Sequence, residues 1–282
     1  MCEKLVSFDT LFYSFQNINL CFYVFKKFTI TITLTKFITM KNTTLLSTYR
    51  LRNSSLILFT ALFFANVSFA QTATLGSTTT WGKVDGVAIN GLVQGPSSAE
   101  AELQVACVFE YTEGDIFNPP ALPANLNGMV HLDDALKGII TELRKSGKFT
   151  GHSLETLLIT PPKGTLAAKQ LLLIGLGDRN KFTPDLMISV GSVATREALR
   201  LGVSNFAFAS DIKDAGIDSP TALVATNVVL GSFEAYRTQT FLKDKKLSDY
   251  KPLTKITLLA GPSFYNVAGE GIKEAIAKLN AK

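Results

Sequence analysis

The seven residues Leu171-Leu172-Leu173-Ile174-Gly175-Leu176-Gly177 constrain this chain more than any other segment. An apolar run this short, closed by glycines, reads as a strand rather than a helix. It has no alternation of polar and apolar positions. A strand of that kind needs apolar cover on both faces, which is the situation of a central strand in an α/β sheet.

The surrounding pattern agrees. Residues 103–109 and 206–209 are further compact apolar runs, and 256–260 predicts the last strand. Residues 157–160 predict a short strand stopped by Pro161 and Pro162. Trp81 to Val93 alternates weakly and predicts one short strand. Between these lie helical patterns. Leu132, Ala135, Leu136, Ile139, Ile140 and Leu143 share one helix face. Asp133 and Asp134 then fall in a first turn and Arg144 and Lys145 in a last turn, as the helix dipole favours, with Gly147 as C-cap. Thr183-Pro184-Asp185 predicts a capped helix start, with Leu186, Met187, Val190, Val193, Ala194, Ala198 and Leu201 facing inward. Ser219-Pro220 repeats that signal for a helix to Phe233 or beyond. Residues 243–251 are Lys-rich and predict a solvated loop. Phe264, Val267, Ala268, Gly271, Ile272, Ala275, Ile276 and Leu279 line a terminal helix. Strands alternating with helices predict a three-layer α/β domain.

The chain is 46% hydrophobic and 18% charged with a formal net charge of +5. The positive charge is local. Residues 1–70 hold seven of the 28 Lys and Arg and two of the 23 Asp and Glu, which leaves 21 of each for the rest. The part expected to fold is neutral, so nothing in its charge points to a nucleic-acid partner.

Met40 opens a second start. Lys41, Arg50 and Arg52 form a cationic stretch, residues 56–64 an apolar one, and Ser68-Phe69-Ala70 places small residues before Gln71. This is the three-part pattern of a secretory signal with cleavage between Ala70 and Gln71. The apolar stretch is short of the roughly 20 residues of a membrane span. An uncleaved anchor is the alternative; after cleavage no stable membrane insertion is expected. Residues 1–39 read as sequence upstream of a misassigned start, or as a second hydrophobic segment. The expected organisation is therefore 1–39 doubtful, 40–70 signal, 71–100 an N-terminal extension and 101–282 the domain.

The order of motifs resembles the N-terminal domain of the leucyl aminopeptidase family of metallopeptidases. Gly147-Lys148-Phe149-Thr150-Gly151 precedes a strand beginning near Glu155. The Gly175-Leu176-Gly177 strand end precedes a helix opened by Thr183-Pro184 and carrying Arg196-Glu197-Ala198. A late helix carries Gly231-Ser232-Phe233-Glu234-Ala235-Tyr236. The resemblance covers about residues 100–280. It implies a macro-domain-like sandwich, with a mixed central sheet flanked by helices. It also implies a domain that, in full-length members, precedes the catalytic domain and helps assemble a hexamer. The family's catalytic domain holds two divalent metals, usually zinc or manganese, through Lys, Asp and Glu, and carries an NTDAEGR signature that this sequence does not contain. The chain is expected to stop about where the linker to that domain begins, and no residue inherits a metal or catalytic role.

Several constellations of residues could carry chemistry. Cys107, the one cysteine after residue 70, sits in an apolar run and reads as a small buried hydrophobe rather than a partner for His131 or His152. His152 reads as exposed. Glu110, Glu113 and Asp115 read as a polar surface loop. Gly175, Gly177 and Asp178 form a glycine-rich turn after a buried strand, which reads either as a tight strand exit or as a ligand turn. Asp211 and Asp214 occupy a polar loop after another strand, where α/β sheets place binding crevices. These five are the candidate ligand residues. No cofactor and no metal is implied. The expected function is an exported, non-catalytic binding or assembly module, with a protein partner, a second copy of itself or a small molecule as its ligand. The alternatives are a subunit of an aminopeptidase supplied by another chain, and ADP-ribose-type recognition.

Overall fold

The structure, a computed structural model, describes residues 72–281. The expected signal and its Ala70–Gln71 cleavage point lie outside the described residues. At the centre are β3 (Leu103–Val108) and β5 (Gln170–Gly175), paired in parallel register. Every residue of β3 is buried, and so are the five after Gln170 in β5. Leu103, Val105, Cys107, Leu172 and Ile174 join one core cluster, while Ala106, Val108, Leu171 and Leu173 join another. The unbroken apolar runs are therefore strands covered on both faces.

The seven-stranded sheet has the order β1-β2-β7-β6-β3-β5-β4. Its other strands are β1 (Thr78–Val84), β2 (Val87–Leu92), β4 (Thr156–Ile159), β6 (Asn205–Ala209) and β7 (Lys255–Leu259). The five inner strands are parallel, and β1 and β4 close the edges antiparallel. The larger core is filled from α3 (Leu186–Arg200), α4 (Thr221–Asp244) and α5 (Tyr265–Asn280). The smaller one is filled from α1 (Gly128–Ala135) and α2 (Ile139–Lys145), together with Phe149. Helices on both faces of a mixed sheet make the three-layer α/β sandwich that the alternation predicts.

Several expectations change. The stretch 81–93 is not one strand but most of a hairpin, β1 and β2, turned at Asp85-Gly86 with φ of 48° and 83°. Asp-Gly is the residue pair that such a two-residue turn favours. Because β2 pairs with β7, the sheet takes in residues that read as an extension. The single helix expected over 132–143 is two helices, broken at Lys137 and Gly138, whose φ values are 60° and 81°. Asp133 therefore does not sit in a first turn of its own helix. Its buried carboxylate reaches across the break and accepts from the amides of Ile140 (2.8 Å) and Thr141 (3.2 Å) and from the Thr141 hydroxyl (2.5 Å). It supplies α2 with the acceptor that an N-cap side chain ordinarily provides. Finally, α3 starts at Leu186 and α4 at Thr221 with no side-chain cap, although both follow the predicted proline signals. Residues 243 and 244, expected in a loop, belong to the last turn of α4.

Where α3 crosses α4, Gly191-Ser192 meets Gly231-Ser232. The Ser192 hydroxyl donates to the Gly231 carbonyl at 2.9 Å, and the Ser232 hydroxyl to the Gly191 carbonyl at 3.4 Å. A Cβ at Gly231 would run into the Ile188 carbonyl, and one at Gly191 into the Val228 carbonyl. The crossing is backbone on backbone, which only glycine permits.

Candidate cleft at the strand ends

The strand order places a crevice before any side chain is considered. After β3 the chain proceeds to β4 and β5 on one side, and after β6 it proceeds to β7 on the other. Neighbouring parallel strands whose connections diverge leave an opening at their C-terminal ends, where open α/β sheets bind ligands. A cleft of about 510 Å³ extends from this edge across the ends of β6, β7 and β2. That volume lies within the range of small-molecule sites.

Four segments build it. Residues 93–98 leave β2, residues 208–214 end β6, residues 258–264 run from β7 toward α5, and 125–131 lead into α1. The N-terminal turns of α4 form an apolar wall through Val224, Ala225 and Val228. Phe208, Leu258 and Phe264 add to the apolar lining.

The acids of the lining are Asp211 and Asp214. Asp211 adopts φ of 53°, a left-handed conformation that Asp tolerates better than most residues. Its Oδ2 accepts from the Cys107 amide at 3.1 Å, one residue beyond the last β3–β6 pair. Asp214 Oδ2 accepts from the Gly128 amide at 2.8 Å, at the start of α1. Asn127 caps the same helix, its Oδ1 accepting from the Val130 amide and its Nδ2 donating to the Asp214 carbonyl. Desolvation pushes the Asp211 carboxyl well above the usual carboxylate range, and the neighbouring Asp214 charge adds to this. Asp214 is raised by the same burial, opposed by its backbone hydrogen bonds and by His131.

The candidate residues thus divide. Asp211 and Asp214 line the cleft. Gly175, Gly177 and Asp178 do not. They leave β5, on the far side of β3, and pack against the turn at 151–155. A Cβ on Gly175 would strike the His152 carbonyl. The Gly175 amide donates to the Glu155 carbonyl at 2.8 Å and the Gly177 amide to the Gly151 carbonyl at 2.9 Å. Glu155 in turn accepts from the amides of Thr150, Gly151 and His152. Asp178 accepts from the Asn180 amide and pairs with Lys181. Here the glycines are needed for backbone contact within the fold, which is the strand-exit reading.

Sequence reasoning missed the other cleft segments. The signal was present in Gly95-Pro96 and Gly261-Pro262, two turn dipeptides that each follow an apolar strand. Cys107 is buried, and desolvation pushes its thiol well above its ordinary range, opposite to what a nucleophile needs. His152 is exposed, with Nδ1 2.7 Å from Glu110 Oε1, a hydrogen bond that raises its pKa. Asp115 is not on the surface: it is buried against Arg144.

A small crevice of about 20 Å³ behind Asp211 and Asp214 is lined by Arg144 and Arg179. Arg179 donates to the Ala215 carbonyl. Among the described residues no group of three or more His, Cys, Asp or Glu side chains could hold a metal ion, and no helix is long and apolar enough to cross a membrane.

Residues 112–243 match the description "Cytosol aminopeptidase family, N-terminal domain". The chain is similar to a probable cytosol aminopeptidase of Roseiflexus castenholzii, 33% identical over 141 residues. It is likewise similar to one of Nitrosococcus oceani, 31% identical over 150 residues. These stretches cover 50% and 52% of this chain but 28% and 30% of the relatives. Among solved structures, a tomato leucine aminopeptidase mutant superposes with a TM-score of 0.47 at 23% identity, covering 71% of this chain and 37% of that one. A macrodomain mutant of Oceanobacillus iheyensis superposes with a TM-score of 0.46 at 15% identity, covering 72% of this chain and 99% of the other.

Proposed function

Because residues 112–243 match the N-terminal domain of the cytosol aminopeptidase family, we propose that the chain acts as a non-catalytic binding module with the strand-end cleft as its ligand site. The observation that carries this reading is the cleft itself, with apolar walls and two carboxyls placed where α/β sheets bind ligands. The same lining speaks against peptidase chemistry of the family's kind. A two-metal centre needs several convergent carboxylates. The cleft offers Asp211 and Asp214, and each already accepts a backbone amide. That donor set does not fit two metals.

The direct test is turnover. The purified chain should not cleave leucine-p-nitroanilide with manganese or zinc present; metal-dependent cleavage that survives further purification would overturn the non-catalytic reading. Binding is tested by amide NMR against a panel of small fragments. Shifts should cluster at residues 93–98, 208–214 and 258–264, and a panel that leaves those amides unmoved removes the cleft from consideration.

Export is proposed on the Lys41-to-Ala70 signature alone. The intact mass of the protein made in cells should begin at Gln71, and a mature chain retaining residues 40–70 would sink the idea. The stretches matched in the curated relatives are about a third of their length or less. A second reading is a subunit of an aminopeptidase carried by another chain. It requires a peptidase to co-purify with this chain from its native source.

A further inference from the structure

We propose that the cleft takes a small molecule bearing a cationic amine on an apolar body, the amine seated at Asp211 and the body against the α4 wall and Phe264. This rests on reading the cleft as a ligand site and names the class of ligand. Two carboxyls, Asp211 and Asp214, line the cleft. None of the ion pairs among the described residues involves Asp211 or Asp214. The nearby cations are engaged elsewhere. Lys213 pairs with Asp218 at 3.2 Å and lies 5.9 Å from the centre of the Phe264 ring. Arg179 is held by the Ala215 carbonyl, and Arg144 by Asp115 and the Phe109 carbonyl.

Asp211 spends one oxygen on the Cys107 amide, and among the described residues its Oδ1 has no hydrogen-bond partner. Burial first, and then the neighbouring Asp214 charge, raise this carboxyl toward its neutral form. A ligand ammonium supplies the missing cation. An anionic ligand would meet Asp211 and Asp214 instead. The apolar lining from Val224, Val228, Leu258 and Phe264 then has to be covered by carbon, so a bare metal ion or a small polar amine leaves most of the cleft unused.

Three probes with one body and different charge separate the cases: phenethylamine, 3-phenylpropionate and 2-phenylethanol, titrated into the purified chain and followed by calorimetry and amide NMR. Phenethylamine should bind at least tenfold more tightly than either of the others. It should move the Cys107 amide, which donates to Asp211. Its affinity should rise with pH through the range of the raised carboxyl, because that carboxyl must lose its proton to hold the ammonium, while the amine stays charged well above neutral pH. The groups facing the pair are Asp214, His131, Lys213, Arg179, Cys107 and the Arg144–Asp115 pair. Of these, His131 is the charge that acts on Asp214. Asp211→Asn tests whether the pH dependence belongs to Asp211. It keeps an acceptor for the Cys107 amide, should lower phenethylamine affinity at least tenfold, and should flatten the pH dependence.

Equal binding of the acid or the alcohol at the Cys107 amide overturns the amine assignment and leaves the cleft standing as a site. Amine heats that leave the Cys107 amide unmoved also overturn it. Silence from all three probes does so as well, and the cleft reading is then decided separately by the fragment panel. Should Asp211→Asn fail to fold, the wild-type comparison of the three probes still decides.

Discussion

Replacing Arg144 by methionine should destabilise the folded chain by about 3–5 kcal/mol, the range for breaking a buried ion pair from one side. The Arg144 and Asp115 side chains are 1% and 7% exposed. Arg144 Nη2 donates to Asp115 Oδ2 at 2.5 Å and to the Phe109 carbonyl at 2.7 Å, and Nε also reaches that carbonyl. Removing the guanidinium strands a buried carboxylate and a buried carbonyl together. The pair ties α2 to the end of β3 and to the loop that precedes α1, so the loss should also loosen the floor behind Asp211 and Asp214. Removing both charges, as Arg144→Met with Asp115→Leu, should recover most of the stability, because two apolar groups of similar size owe no desolvation penalty. Urea unfolding of the two single variants and the double variant measures this. A double variant as unstable as Arg144→Met would show that the guanidinium hydrogen bonds, not the charge, carry the effect.

Gly231→Val should be the other large loss, about 3 kcal/mol, at the upper end of the range for overpacking a filled interior. Alanine at a helix interior usually gains about 1 kcal/mol over glycine. Here even Gly231→Ala should lose, because the new Cβ meets the Ile188 carbonyl rather than solvent. Backbone cannot rotate away as a side chain does, so α3 and α4 must separate. Separation also breaks the Ser192 and Ser232 hydroxyl bonds that join the helices. Gly191→Ala, pressing on Val228 from the other helix, should destabilise in the same direction. A Gly231→Val midpoint within experimental error of the parent would mean that the helices part without cost. Since Val228 lines the cleft one turn away, cleft amides should shift in this variant as well.

Much of the fold is legible in the sequence. The strands β3, β5, β6 and β7 announce themselves as unbroken apolar runs, and α3 and α5 through their stripes of buried residues. These signals are local. Each depends on which neighbours along the chain share a face, and that is a property of periodicity. The break between α1 and α2 was not legible, because Leu132 to Leu143 keeps helical spacing across Lys137 and Gly138. The acceptor that makes the break tolerable, Asp133, looks from sequence like an ordinary charge in a first turn.

The cleft was half legible. Polar loops after buried strands were visible at Gly175–Asp178 and at Asp211–Asp214, with nothing along the chain to separate them. The difference arises in the sheet order. With β6 beside β7 and β7 beside β2, the loop after β6 faces open space, while the loop after β5 is pressed against the 151–155 turn. The sequence by itself determined most of the strands and helices, the neutrality of the part that folds and the resemblance to an aminopeptidase N-terminal domain. Only the tertiary structure decided which strand ends meet in one cleft. It also decided that Asp115 is spent on Arg144, while among the described residues Asp211 keeps an oxygen without a hydrogen-bond partner. The physical reason is that an apolar pattern specifies that a face must be buried, and leaves open what will bury it.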